Sequence, residues 1–126
     1  MQKPITCSLD ESIISAAKKL KKDKLRHLYV VDSKKNLVGV FSALDVVYEF
    51  LAEGKDYRKL PVKTAMKADI VSFTKEEPVT KAFGFMSQTS IFSCPILKHG
   101  KLIGVLAYKD AMTALLKQKK QIMQHK

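Results

Sequence analysis

The stretch GVFSALD at residues 39–45 returns 65 residues later as GVLAYKD at 104–110. Both copies read Gly, two apolar residues, three variable positions, then Asp, and only the first carries a hydroxyl, at Ser42. Internal repetition constrains a fold more than any other sequence feature, because each repeat is a unit that cannot bury its apolar face alone. The repetition extends upstream. With Ile13 set against Val79, 66 residues apart, ITCSLDESI faces VSFTKEEPV and LYVVD faces CPILK. After a turn one residue shorter in the second copy, LVGVFSALD faces LIGVLAYKD. Few residues are identical. What repeats is the order of apolar, polar, glycine and acidic positions, in the same direction along the chain.

Each copy opens on a short apolar stretch, Ile5 to Cys7 or Ile70 to Phe73, followed by a hydroxyl and a Glu three residues on: Ser8 with Glu11, and Thr74 with Glu77. That spacing predicts a capping box, in which side chain and backbone at a helix start satisfy each other's free N–H groups. The predicted helices place Ile13, Ala16, Ala17 and Leu20 on one face in the first copy, and Val79, Ala82, Phe83 and Met86 in the second. Pro78 falls early enough in its helix to be tolerated. Two apolar runs joined by a polar turn come next and read as a hairpin of buried strands: HLYVV and LVGVF around DSKKN, then CPIL and LIGVL around KHGK. A second helix starts at Ser42 or Ala107. The first of these ends at Gly54, a plausible C-terminal cap, and the last runs on with Lys enriched late, as the helix dipole favours. The linker GKDYRKLPVKTAM, 54–66, ends in LPVKTAM, which reads as a short lead-in helix with no counterpart before the first copy. A chain cut from a longer protein is one explanation of that asymmetry. Two three-stranded sheets, each with helices on one face, leave an apolar face uncovered, which pairing the two copies would bury.

With 46% apolar residues in 126, the chain can build a real core. No run approaches 18 apolar residues, so no membrane-spanning segment is expected, and the opening residues lack the apolar segment of a secretory signal. A cytoplasmic location is expected. Cys7 and Cys94 sit beside apolar residues and read as buried free thiols rather than a disulfide, and the cysteines and histidines lack zinc-ligand spacing. Lys and Arg outnumber Asp and Glu by 23 to 12, a net +11, densest in KKLKKDKLRH at 18–27 and KQKKQ at 117–121. Such a balance favours anionic partners, although a Lys-rich run is also what a solvated helix face looks like. There is no nucleophile with a paired base, no phosphate-binding glycine loop and no dinucleotide fingerprint, so catalysis is not expected.

Two copies of strand, helix, strand, strand, helix, each ending Gly-apolar-apolar-x-x-x-Asp, resemble a CBS domain pair, or Bateman module, from about residue 2 to about 117. The resemblance implies an α+β fold: two tandem β-α-β-β-α repeats packed through their sheets in a pseudo-twofold arrangement, the first at 1–54, the linker and second repeat with the C-terminal helix at 55–126. It also implies a regulatory module that binds an adenosine nucleotide of the AMP, ADP or ATP type in a cleft between the repeats, with no other cofactor and no metal. By position, Asp45 would hold the ribose hydroxyls, Ser42 would lie near the phosphates with Arg26 and His27, and Ile5, Thr6 and Cys7 would line the adenine pocket. Asp110, Lys109 and Ser72 would form a weaker second site, because Ala107 has lost the hydroxyl and Phe92-Ser93 stands where the first copy has Arg26-His27. Tyr29 replaces the proline that the family keeps and that Pro95 supplies in the second copy. That tyrosine either lines the base pocket or fills it.

The chemistry of these residues fits those roles. A carboxylate can accept two hydrogen bonds from a cis-diol, and Arg offers a forked donor suited to phosphate. Glycines at 39 and 104 would permit close approach of backbone or ligand. Ser42 and Asp45 nonetheless have a second reading, a capping box with Asp in place of Glu, worth ~1 kcal/mol with no ligand at all. Three functions therefore compete. The first is an adenosine-nucleotide sensor whose regulated domain or protein lies outside this chain. The second is a structural pair whose task is dimerisation through helix faces carrying Val46, Val47, Phe50, Leu51, Met112, Leu115 and Leu116. A homodimer is expected under both. The third, nucleic-acid binding, has the charge but lacks aromatics interleaved with the Lys-rich runs, and stands last.

Overall fold

The computed structural model describes residues 1–89, 91 and 93–124, with side chains through residue 118. The chain forms two compact units, one of Ile5–Ile70 and one of Met1–Pro4 with Val71–Lys126. Each unit holds one copy of the repeat and one three-stranded sheet, so the α+β class read from the sequence holds.

In the first unit, strand β1 (Thr6–Ser8) leads to helix α1 (Ile13–Asp23), then to the hairpin of β2 (His27–Val31) and β3 (Leu37–Ser42). β1 runs parallel to β2, with Thr6 opposite Tyr29, and β2 runs antiparallel to β3, with His27 opposite Ser42. A bulge between Val30 and Val31 breaks the register. Ile13, Ala16 and Leu20 pack from α1 onto Leu28, Val30 and Phe41 of the sheet. This is the predicted helix face except that Ala17 is only half-buried. The helix starts later than the Ser8–Glu11 spacing predicts. Its N-cap is Ser12, whose Oγ accepts from the Ser15 amide at 3.1 Å. The long-range hydrogen bond from the Ile13 amide to Leu60 O, 2.9 Å, pins the start there. Ser8 instead closes a local turn by accepting from the Asp10 amide, and Glu11 binds Ser15 and Lys19.

Helix α2 is α-helical only over Ala43–Val46 and continues as a wider π-helical turn over Val47–Leu51. Phe50, expected on an exposed dimer face with Val46 and Leu115, instead packs into the core with Val46 half-buried beside it, and Leu115 is half-buried. Leu44 before the turn and Val47, Tyr48 and Leu51 within it are exposed, and the chain then leaves through Gly54 at φ +68°. LPVKTAM contains a single 3₁₀ turn, Val62–Thr64.

The second unit repeats the order: β4 (Phe73–Thr74), α3 (Val79–Thr89), β5 (Ser93–Lys98), β6 (Lys101–Ala107) and α4 (Tyr108–Gln124). β4 is parallel to β5, β5 is antiparallel to β6, and the bulge recurs at the matching place, between Ile96 and Leu97. Ala82 and Met86 are the buried residues of α3, with Val79 and Phe83 half-buried against the same core. Glu77 does reach back to the Thr74 amide at 2.9 Å, although the helix begins only after Pro78. His99 and Gly100, at φ 52° and 80°, make the tight turn of the second hairpin.

The residues after LPVKTAM do have a counterpart before the first copy. Lys67 exchanges two backbone hydrogen bonds with Val40, and Gln2 exchanges two with Val105, each 2.8–2.9 Å. A lead-in segment thus flanks β3 and β6 alike, at the 65-residue offset of the repeated phrase. The glycines of that phrase make room for these segments. A Cβ at position 39 would stand 2.6 Å from Met66 Sδ and 3.1 Å from Lys67 O, and one at 104 would meet the Met1 side chain.

Candidate ligand site

The parallel pairing of β1 with β2 and the hairpin register bring the sequence-selected residues of the first copy to one end of one sheet. Ile5 and Thr6 stand at the start of β1, Arg26 and His27 at the start of β2, and Ser42 at the end of β3 with Asp45 one helical turn on. The Ala43 amide donates to Arg26 O, which ties the start of α2 to the start of β2.

Asp45 is the only charged residue buried among those described, with its side chain 5% exposed. One oxygen, Oδ2, accepts from the Ser42 amide at 3.0 Å, while Ser42 Oγ accepts from the Asp45 amide at 3.2 Å. The reciprocal capping box read from the sequence is therefore formed. The other oxygen, Oδ1, lies 3.7 Å from Lys67 Nζ. A carboxylate has acceptor capacity beyond one amide, so the box leaves Asp45 able to accept from a diol as well.

Arg26 is exposed and always charged. His27 differs. Its ring is half-buried, packs edge-on against Tyr29 at 5.2 Å, and lies 3.3 Å from the Tyr29 hydroxyl. Burial lowers its pKa below the usual 6.5, so at neutral pH it can offer a hydrogen bond but little positive charge. Tyr29 is itself buried, its ring packed edge-on against His27 at this end of the sheet.

Ile5, just before β1, is exposed, and Thr6, its first residue, is half-buried, with Thr6 O accepting from Lys19 Nζ at 3.1 Å. Cys7 points into the core, where desolvation, reinforced by Glu11, raises its thiol pKa to about 11. Its side chain packs with the apolar residues of that core rather than toward the end of the sheet where Ile5 and Thr6 lie.

The second copy has the same layout with different chemistry. Ser72 is half-buried just before β4, Lys109 is exposed, and Asp110 accepts from Gln2 Nε2 at 3.2 Å on Oδ2. Ala107 offers no hydroxyl for a box. Phe92 lies outside the described residues, and Ser93, opposite Ala107, holds the place of His27. Cys94 is buried, its thiol raised to about 11 by desolvation.

Sequence reasoning missed Lys67, Gln2 and Lys19. The signal for the first two was present: Met-Gln at 1–2 and Met-Lys at 66–67 stand at the same 65-residue offset. Among the described residues no group of three or more His, Cys, Asp or Glu could hold a metal ion, and no helix is long and apolar enough to cross a membrane.

The chain is 34% identical over 106 residues to a 17.7 kDa protein of Acidianus ambivalens, covering 83% of this chain and 63% of that one. It is 28% identical over 108 residues to L-aspartate semialdehyde sulfurtransferase of Methanocaldococcus jannaschii, covering 85% of this chain and 20% of the enzyme. The chain thus spans less than two thirds of both relatives. A CBS domain-containing protein of Dictyostelium discoideum is 32% identical over 122 residues, covering 89% of this chain and 84% of that one. Among solved structures, the CBS domain pair of protein MJ0100 in complex with 5′-methylthioadenosine and S-adenosyl-L-methionine superposes with TM-score 0.72 at 28% identity, covering 94% and 92% of the two chains. CBSX2 in complex with AMP superposes with TM-score 0.76 at 23% identity, covering 94% of each. The CBS domain model matches residues 1–52 and again 62–117. With two matched segments, the repeated fold and these relatives, the chain belongs to the CBS domain family.

Proposed function

We propose that this chain is a regulatory module that binds an adenosine nucleotide, with its principal site at Asp45. The observation that carries this reading is the gathering of Ile5, Thr6, Arg26, His27, Ser42 and buried Asp45 at one end of one sheet. That set combines a carboxylate for a diol, a permanent cation for phosphate and apolar surface for a base. Adenosine ligands in the MJ0100 and CBSX2 structures support the ligand class. The Asp110 site is the weaker one, lacking the hydroxyl of Ser42. The module acts in the cytoplasm by sensing rather than catalysis, as a homodimer formed through the exposed apolar residues Leu44, Val47, Tyr48, Leu51, Met112 and Leu116, and it controls a domain or protein outside this chain.

A second reading has its own support. The Ser42–Asp45 box is complete without a ligand, and the exposed helix residues suit a purely structural dimer. Thermal unfolding with AMP, ADP, ATP and S-adenosylmethionine, each with and without Mg²⁺, separates the two. A ligand at a hundredfold over its Kd stabilises by ~2.7 kcal/mol, a rise of several degrees. The sensor reading expects that rise with at least one ligand and its loss in Asp45→Ala. Folded, nucleotide-free protein that none of them stabilises would favour the structural dimer.

A further inference from the structure

The two repeats place different side chains beside their equivalent aspartates: Lys67 beside Asp45 and Gln2 beside Asp110. Both come from the lead-in segment, both are anchored by paired backbone hydrogen bonds to the strand that precedes the aspartate, and both follow a Met laid over the glycine of the repeated phrase. The position is therefore the same and only its chemistry has changed, from a neutral amide to a cation.

The Lys67 backbone is fixed, yet its side chain is 70% exposed. At 3.7 Å its ammonium is beyond hydrogen-bond range of Asp45 Oδ1, so the pair is held by charge alone. A pair with one largely solvated partner is weak and easily exchanged. A ribose that takes Oδ1 competes with this ammonium. An uncharged nucleoside gives Lys67 nothing in return, whereas a nucleotide presents a phosphate on which the flexible four-carbon stem can set its charge.

We propose that Lys67 is a specificity-determining residue that makes the Asp45 site select phosphorylated over uncharged adenosine ligands. This rests on the nucleotide-binding reading above and names the ligand subclass for that site. Lys67 draws the phosphate by charge from a fixed anchor, and exchanges Asp45 for the phosphate when ligand enters.

Isothermal titration of AMP and of adenosine tests it, on the wild type, Lys67→Gln (the residue of the other repeat) and Lys67→Arg. The wild type should bind AMP more tightly than adenosine, with the preference shrinking as salt rises. Lys67→Gln should weaken AMP about tenfold and leave adenosine unchanged or tighter, because the competing ammonium is gone, while Lys67→Arg keeps the preference. An unchanged AMP-to-adenosine ratio in Lys67→Gln, or equal losses for both ligands, overturns the role of Lys67 while leaving nucleotide binding in place. A wild type that binds neither ligand overturns both.

Discussion

Gly39 and Gly104 occupy equivalent positions, but replacing them with Ala should have unequal costs. Neither has the positive φ that only glycine adopts comfortably. The added methyl therefore gains the usual ~0.4–1 kcal/mol from a stiffer unfolded chain at both positions. The native-state costs differ. At position 39 the new Cβ would stand 2.6 Å from Met66 Sδ and 3.1 Å from Lys67 O. The sulfur can swing aside, but the carbonyl oxygen is held by the Val40 amide at 2.8 Å, so the lead-in segment must shift with it. Overpacking of that kind costs ~1–3 kcal/mol. At position 104 the three nearest atoms all belong to the Met1 side chain, a flexible thioether. Gly39→Ala should therefore lose about 1 kcal/mol net, while Gly104→Ala stays within about 0.5 kcal/mol of the wild type. Urea unfolding followed by circular dichroism reads the difference as a midpoint lowered by about 0.5 M for Gly39→Ala alone, at an m-value of about 2 kcal/mol per M. Equal midpoints for the two variants, or a larger loss at 104, would refute the account of the glycines as room for the lead-in segments.

Three further outcomes are expected. Ser12→Ala should cost about 1 kcal/mol in the same urea assay and Ser8→Ala only a few tenths, because Ser12 is the cap of α1 and Ser8 serves an exposed turn. Cys7 and Cys94, with thiols raised to about 11 from 9.0, should carry roughly a hundredfold less thiolate than free cysteine at neutral pH. A disulfide reagent should label them slowly in native protein and promptly in denaturant. His27, with a folded pKa below the unfolded 6.5, binds fewer protons folded than unfolded in the interval between the two values. Its contribution to stability is thus full above 6.5 and is lost as pH falls below it. Melting temperature should drop over that range more steeply in the wild type than in His27→Gln.

How much of this was legible beforehand depended on the physical range of each signal. Apolar periodicity is local, so the two helix faces and both hairpins could be read directly. The Ser42–Asp45 box was equally local and formed as its spacing indicated. The start of α1 was misread because SLDES offers two serines, and the choice is made by Leu60, far along the chain, which accepts from the Ile13 amide. The lead-in segments at Gln2 and Lys67 are single bridges to strands, too short to show any period. Their glycine partners were seen, and the close backbone approach expected there is made at Gly39 by Lys67 O, but the Met66 and Met1 side chains that lie over the two glycines were not foreseen. The site showed the same division. Ser42 and Asp45 stood in the repeated phrase, while Ile5, Thr6, Cys7, Arg26 and His27 came only from the family resemblance, and the neutral state of His27 and the core placement of Cys7 required knowledge of what surrounds them.

The central claim is that the buried carboxylate of Asp45 holds an adenosine nucleotide. Isothermal titration of AMP into nucleotide-free protein, beside Asp45→Asn and Asp110→Asn, tests it most directly. The account predicts saturable binding that Asp45→Asn removes and Asp110→Asn largely preserves. AMP binding with unchanged affinity in folded Asp45→Asn would contradict it, as would the absence of binding to the wild type.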